Sequence, residues 1–157
     1  LENGNTLVSM RNFNTVAEVS HQKHVVREWT FKGRDKKTGL QTTGTIKGQR
    51  NHEPEMLDNG RMLVALRNPH RFVEFDLETE KIIWSWSHPG GDRELRTNRE
   101  ANRLPNGNTL GSAGNKLIEI APDGAIVWQM LAPKGGKNHR KFHKAIRIGT
   151  DGRSYGG

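Results

Sequence analysis

Two histidines and an arginine stand at one repeated place in this sequence. His52 lies in NHEPEMLDNG, Arg99 in NREANRLPNG and His143 in FHKAIRIGTDG. Each sits at the same distance before the residue that opens an Asn-Gly or Asp-Gly turn: Leu57, Leu104 and Ile148. Arg50, Arg96, Arg103 and Arg147 flank them. Guanidinium groups grip the oxygens of a sulfate, phosphate or carboxylate in a two-pronged fork. An imidazole beside such a fork can act as nucleophile or as general acid and base. The candidate catalytic residues are therefore His52 and His143, with Arg99, Arg147, Arg50 and Arg96 as substrate-binding candidates. Three polar residues at one repeat position also fit a place where the fold merely tolerates them. His21, His24, His70, His88 and His139 fall in turns or loops and read as bystanders. Glu18, Glu74 and Glu119 recur together too, which suggests a structural hydrogen bond or a solvated face.

The elements that would position these residues are written three times. LENGNTLVSM opens the chain, LDNGRMLVAL comes next at 57–66, and LPNGNTLGSA at 104–113. A fourth copy begins with IGTDGRSYGG. The turn glycines Gly4, Gly60, Gly107 and Gly152 recur at roughly 45–56 residues, a period that signals an array, solenoid or propeller. Asn-Gly and Asp-Gly supply the positive φ of tight hairpins, and the runs between them are short and rich in Val, Ile, Leu, Phe and Trp. No segment carries an apolar period of 3.6. Four strands per copy, at about 52–57, 61–67, 71–76 and 81–87 in the second, predict an all-β chain of β-propeller blades. Repeated Trp and paired aliphatics would pack blade on blade, because one blade cannot bury both faces alone. A parallel β-solenoid is the competing fold, disfavoured by the Asp-Gly hairpins.

The expected organisation is an incomplete blade plus a long loop at 1–51, whole blades at 52–98 and 99–142, and the first strand of a further blade at 143–157. The stretch 32–51, rich in Gly, Lys and Thr, reads as a surface loop with a short hairpin around 40–46. About three blades do not close a ring. The chain therefore reads as a piece of a longer protein. The sharper alternative is assembly between chains, with the strand at 143–148 of one copy completing the first blade of the next. Leu1 already lies within a repeat, so the natural N-terminus, and with it any export signal, is expected upstream.

Composition narrows the chemistry. Cysteine is absent, which removes disulfides and thiolate metal sites. No His-Glu-x-x-His spacing occurs, and the reading invokes no metal and no cofactor. No run approaches the roughly 18 apolar residues of a membrane span. Lys and Arg number 25 against 17 acids, a formal charge of +8. Between Gly124 and Thr150 there is no acid, while Lys134, Lys137, Arg140, Lys141, Lys144 and Arg147 fall there. Such an excess suits anionic partners. Nucleic acid is the least favoured of them, since Phe142 is the lone aromatic in 134–147 for stacking.

REANRLPNGNTL followed by GNKLIEIAPDGAIVWQMLAP resembles the arylsulfotransferase family, whose blades pair an Asn-Gly-Asn turn with Ile-Glu-Val, an Asp-Gly hairpin and Ile-Val-Trp. NGNTLVSMRNFNTVAEVS and NPHRFVEFDLETEKIIWSW fit equally, while 32–51 and 134–142 fit least. Related propellers that bind quinones, or have no known activity, share similar blades. The resemblance implies a six-bladed propeller located outside the cell or in the periplasm. It implies transfer of a sulfuryl group from an aryl sulfate to a phenol through a sulfated histidine, without a nucleotide donor. His52 and His143 match the family's channel histidines, and Arg99 departs from them as a sulfate-binding substitute. The alternative function is a non-catalytic propeller that binds a partner or self-assembles.

Overall fold

A computed structural model describes residues 1–34, 39–133 and 142–155. The chain builds antiparallel sheets in sequence order. The first holds β1 (Thr6–Met10), β2 (Thr15–Val19) and β3 (Val25–Thr30). The second holds β4 (Gln49–Leu57), β5 (Arg61–Arg67), β6 (Arg71–Asp76) and β7 (Ile82–Trp86). The third holds β8 (Asn98–Arg103), β9 (Thr109–Ala113), β10 (Lys116–Ile120) and β11 (Ile126–Leu131). A stub of a fourth pairs β12 (Arg147–Ile148) with β13 (Ser154–Tyr155). Each sheet is a simple meander, the blade of a β-propeller. Among the described residues there is no α-helix, and no helix is long and apolar enough to cross a membrane.

The repeated turn has one geometry. Gly4, Gly60, Gly107 and Gly152 take φ values of 78°, 73°, 84° and 77°, the left-handed region open to glycine. Each amide closes its turn on the carbonyl three residues earlier, as Gly107 does on Leu104 at 2.9 Å. Alternation then sorts the strand side chains into two cores. From β5, Met62, Val64 and Leu66 enter one cluster, with Val16, Trp29 and Phe31 of the first blade. Leu63 and Ala65 enter the other, with Leu95, Ala101 and Ile118 of the third. Strand β5 is thus dry on both faces, and a blade without neighbours would expose one of them. Gly111 permits the closest approach at the second junction, since a Cβ there would fall 2.5 Å from the Phe72 ring.

Four details depart from the expectations. β4 begins at Gln49, three residues before His52, and carries bulges around His52. The stretch 32–51 is not wholly surface: Ile46 is 4% exposed and joins the first core beside Phe31. No hairpin forms around 40–46. Instead that stretch lies back along the end of the first blade, through bridges Arg34↔Gln41 and Lys32↔Lys47. In the sheets Trp29 is equivalent to Trp86, and Trp84 to Trp128. Trp84 and Trp128 face Glu74 and Glu119 across the sheet, whereas Trp29 and Trp86 face Val16 and Phe72. Trp29 Nε1–H donates to the Leu77 carbonyl at 3.0 Å, and Trp86 Nε1–H to the Gly124 carbonyl at 2.8 Å. Each indole thereby ties its blade to the outer turn of the next. Of the fourth copy's expected strand at 143–148, Arg147–Ile148 is paired.

Candidate functional site

The first strands of the second and third blades lie against each other, with the fourth-copy stub beside them. An asparagine anchors each of those two strands. Asn51 Nδ2 donates to the Thr15 carbonyl at 3.0 Å and to Ser9 Oγ at 2.8 Å. Asn98 Nδ2 donates to the carbonyls of Leu66 at 3.0 Å and Arg71 at 3.2 Å. Both asparagines are 0% exposed. The residue before each, Arg50 and Thr97, takes positive φ, 51° and 70°. These side chains fasten the strand start to the preceding blade. They thereby fix the next residue along each strand, His52 after Asn51 and Arg99 after Asn98. At the equivalent place in the stub, the Phe142 amide donates to the Gly114 carbonyl at 2.8 Å.

His52, Arg99 and His143 share one electrostatic environment. An Nη1 of Arg99 lies 3.3 Å from His143 Nδ1. A guanidinium can only donate, so Nδ1 carries the lone pair and the neutral ring holds its proton on Nε2. His52 is half-buried, and its Nε2 is enclosed without a hydrogen-bond partner. Burial, then the charges of Arg67, Arg11 and Arg99, push His52 down to about 3, so its imidazole is neutral at physiological pH. Burial with the repulsion of Arg11, Arg99 and Arg50 likewise lowers Arg67 to about 10. Among the described residues, none of Arg11, Arg50, Arg67 and Arg99 forms an ion pair. The cluster is cationic and lacks a carboxylate partner, a setting that favours an anion.

Arg50 and Arg96 stand to one side. With Arg67 they line a cavity of about 450 Å³ between the second and third blades. Arg147 is committed elsewhere. It binds Glu119 and lies over the Trp128 ring, 5.9 Å from its centroid. Arg103 does the same for Glu74 and Trp84 one blade earlier. The recurring glutamates are structural hydrogen-bond hubs. Glu18 accepts from Asn3 and Asn5, and Glu119 from Asn106 and Asn108, which holds both carboxyls below their usual range. His70 bonds Asn98 Oδ1 at 3.2 Å, and His88 Nδ1 accepts the Gly90 amide at 2.9 Å. His139, with Lys134, Lys137, Arg140 and Lys141, lies outside the described residues. Arg11 and Arg67 escaped the sequence reading. One sits in the turn after β1 and the other ends β5, so neither lies on a first strand. The repeated Asn before His52 and Arg99 was the available signal for the anchored strand start.

A second group of charges lies farther along the first strands. Glu53, Glu55 and Glu100 line a cavity of about 400 Å³ with Lys144. Burial, partly offset by the Arg103 amide at 2.7 Å, raises Glu55 to about 7. Burial raises Glu100 as well, although it accepts the Ala145 amide at 2.6 Å. No group of three or more His, Asp or Glu side chains is placed to hold a metal ion among the described residues.

No protein-family model matches the sequence, and no curated protein matches it. Solved structures match by shape. The WD40 β-propeller domain of Doa1 superposes with a TM-score of 0.64 at 11% identity, over 99% of this chain and 44% of its own. A streptogramin B lyase gives 0.61 at 11% identity, over 99% and 45%. A catalytically inactive variant of virginiamycin B lyase from Staphylococcus aureus, with quinupristin, gives 0.59 at 12% identity, over 98% and 45%. The fold is a β-propeller, and the chain spans less than half the length of these structures.

Proposed function

We propose that this chain carries the transfer centre of an arylsulfotransferase-like propeller, with the sulfuryl group bound where Arg99 meets His143. The observation that carries the reading is the Arg99–His143 contact, placed beside the neutral His52 in a cationic cluster without a carboxylate. Arg99, supported by the field of Arg67 and Arg11, takes the oxygens of an aryl sulfate in place of His143 Nδ1. That exchange frees the Nδ1 lone pair. The N–S bond forms as the bond from sulfur to the aryl oxygen breaks, and the phenoxide leaves with the electron pair. In the second half, a phenol gives its proton to His52 as its oxygen attacks sulfur, and the N–S pair returns to His143. The bound oxyanion offsets the arginine field, which adds to burial in keeping His52 from protonation in the resting site.

The test is release of 4-nitrophenolate from 4-nitrophenyl sulfate with phenol present. His143→Ala should abolish it, and His52→Ala should lower it by about 100-fold, as expected for loss of a general base. A double variant as active as the parent would sink the reading. A second reading is a binding or self-assembling module, favoured by one observation. Trp128, Met130 and Leu131 on β11 are 42%, 41% and 57% exposed, whereas Trp29 and Trp86 are covered by the following blade. Absence of turnover, with a particle mass by light scattering above that of one chain, would favour it.

A further inference from the structure

We propose that the cavity between the second and third blades is an oxyanion site of its own, in which Arg67, Arg50 and Arg96 take a tetrahedral oxyanion: sulfate or phosphate, free or as the end group of an ester. The site lies apart from the Arg99–His143 contact and does not require that transfer occur.

Arg67 is its base. The residue is 9% exposed and lines the cavity of about 450 Å³, yet its Nη2 has no hydrogen-bond partner among the described residues. Its Nε–H donates to the Asn98 carbonyl at 3.3 Å, which sets the plane of the guanidinium. A buried cation without a counter-charge costs several kcal/mol, and its closest charged neighbours make this worse. Those neighbours are Arg11, Arg50 and Arg99, all cations. An anion from outside the chain would supply that counter-charge. Arg50, the second residue of β4, and the more exposed Arg96, just before β8, reach the same cavity. Three guanidiniums outnumber the one carboxylate there, that of exposed Asp92. His70 and Thr97 add polar walls.

The frame is built in advance. Asn98, anchored to the carbonyls of Leu66 and Arg71, ties the end of β5 to the start of β6 and presents its own carbonyl to Arg67. That bond holds the guanidinium plane in advance at the wall of the cavity, the preorganisation that two-pronged recognition of an oxyanion needs.

The site is tested by following the Arg67 Nε–H nuclear magnetic resonance signal during titration with sodium sulfate and, separately, sodium phosphate. Chloride holds the ionic strength constant. The expected result is a saturable shift, weakened about tenfold or more in an Arg50→Ala/Arg96→Ala double variant, whose altered residues lie outside both cores. Phenyl phosphate in a third titration separates the ester from the free ion. Tighter binding than phosphate assigns the site to esters, and equal binding to the ion. The His52→Ala/His143→Ala variant should keep its sulfate midpoint within about twofold, even where turnover is lost. The site is overturned by no saturable shift for any anion at tens of millimolar, or by an unchanged midpoint in the arginine double variant. Loss of the shift in the histidine variant would also overturn it, by moving the anion to the other cluster.

Discussion

His52 and Glu55, three positions apart on β4, are displaced from their ordinary titration ranges in opposite senses. His52 falls from 6.5 to about 3. Between those values the unfolded chain binds a proton that the folded chain refuses, so stability declines as pH drops through the window. Glu55 rises from 4.5 to about 7. Between those values the folded chain keeps a proton that the unfolded chain releases, so stability declines as pH rises. The two slopes oppose each other where the windows overlap. Glu55→Gln should therefore turn the curve of stability against pH more positive than the parent's, and His52→Gln more negative. Each change should reach about 1 kcal/mol per pH unit at most, allowing for solvent screening. Urea midpoints from pH 4.5 to 6.5 would measure this. Curves parallel to the parent's would show that both groups titrate normally. The offset from a repeated turn located His52 in the sequence, whereas nothing there singled out Glu55. Spacing could not weigh their surroundings, because Arg11 and Arg67 reach His52 from a turn and from the end of another strand.

The blades themselves were legible at the level of elements, because their corners are local chemistry. Asn-Gly and Asp-Gly fix the hairpins, and β5 and β6 match the expected 61–67 and 71–76. Contacts between blades were less legible. The recurring Trp residues mark blade packing, but spacing alone does not say which of them face a neighbouring blade. The bulges opposite Val19 and Phe75 shift the outer strand against the middle one, and pairing, not spacing, sets which indole faces the next blade. Ile46 was hidden for a similar reason: a single apolar residue in a Gly- and Lys-rich stretch carries no period, yet it fills a core. The indole hydrogen bonds make a prediction at this scale. Trp86→Phe keeps an aromatic ring beside Phe72, stacked at 6.0 Å between centroids, and removes the donor to the Gly124 carbonyl. A loss of about 1–2 kcal/mol is expected in urea unfolding. Trp84→Phe, whose ring makes no such bond among the described contacts, should cost less. Equal losses would mean that ring volume, not the inter-blade bond, matters at position 86.

The fold of the whole molecule is set by junctions rather than by a central mass. Two apolar clusters, one between the first and second blades and one between the second and third, hold most of the large buried apolar side chains. Charge is arranged on the same plan. Arginines and histidines gather near the starts of the first strands, and Glu53, Glu55 and Glu100 farther along them. The outer face of β11 stays uncovered among the described residues. Because β5 supplies side chains to both junctions, nothing can loosen it without opening both. Its backbone amides should be the slowest in the chain to trade hydrogen for deuterium, exchanging at the rate of global opening, while those of β3 and β11 trade sooner through local fraying. Were β11 as protected as β5, cooperativity would not be relayed blade by blade, and the middle strand would lose its place as the molecule's keystone.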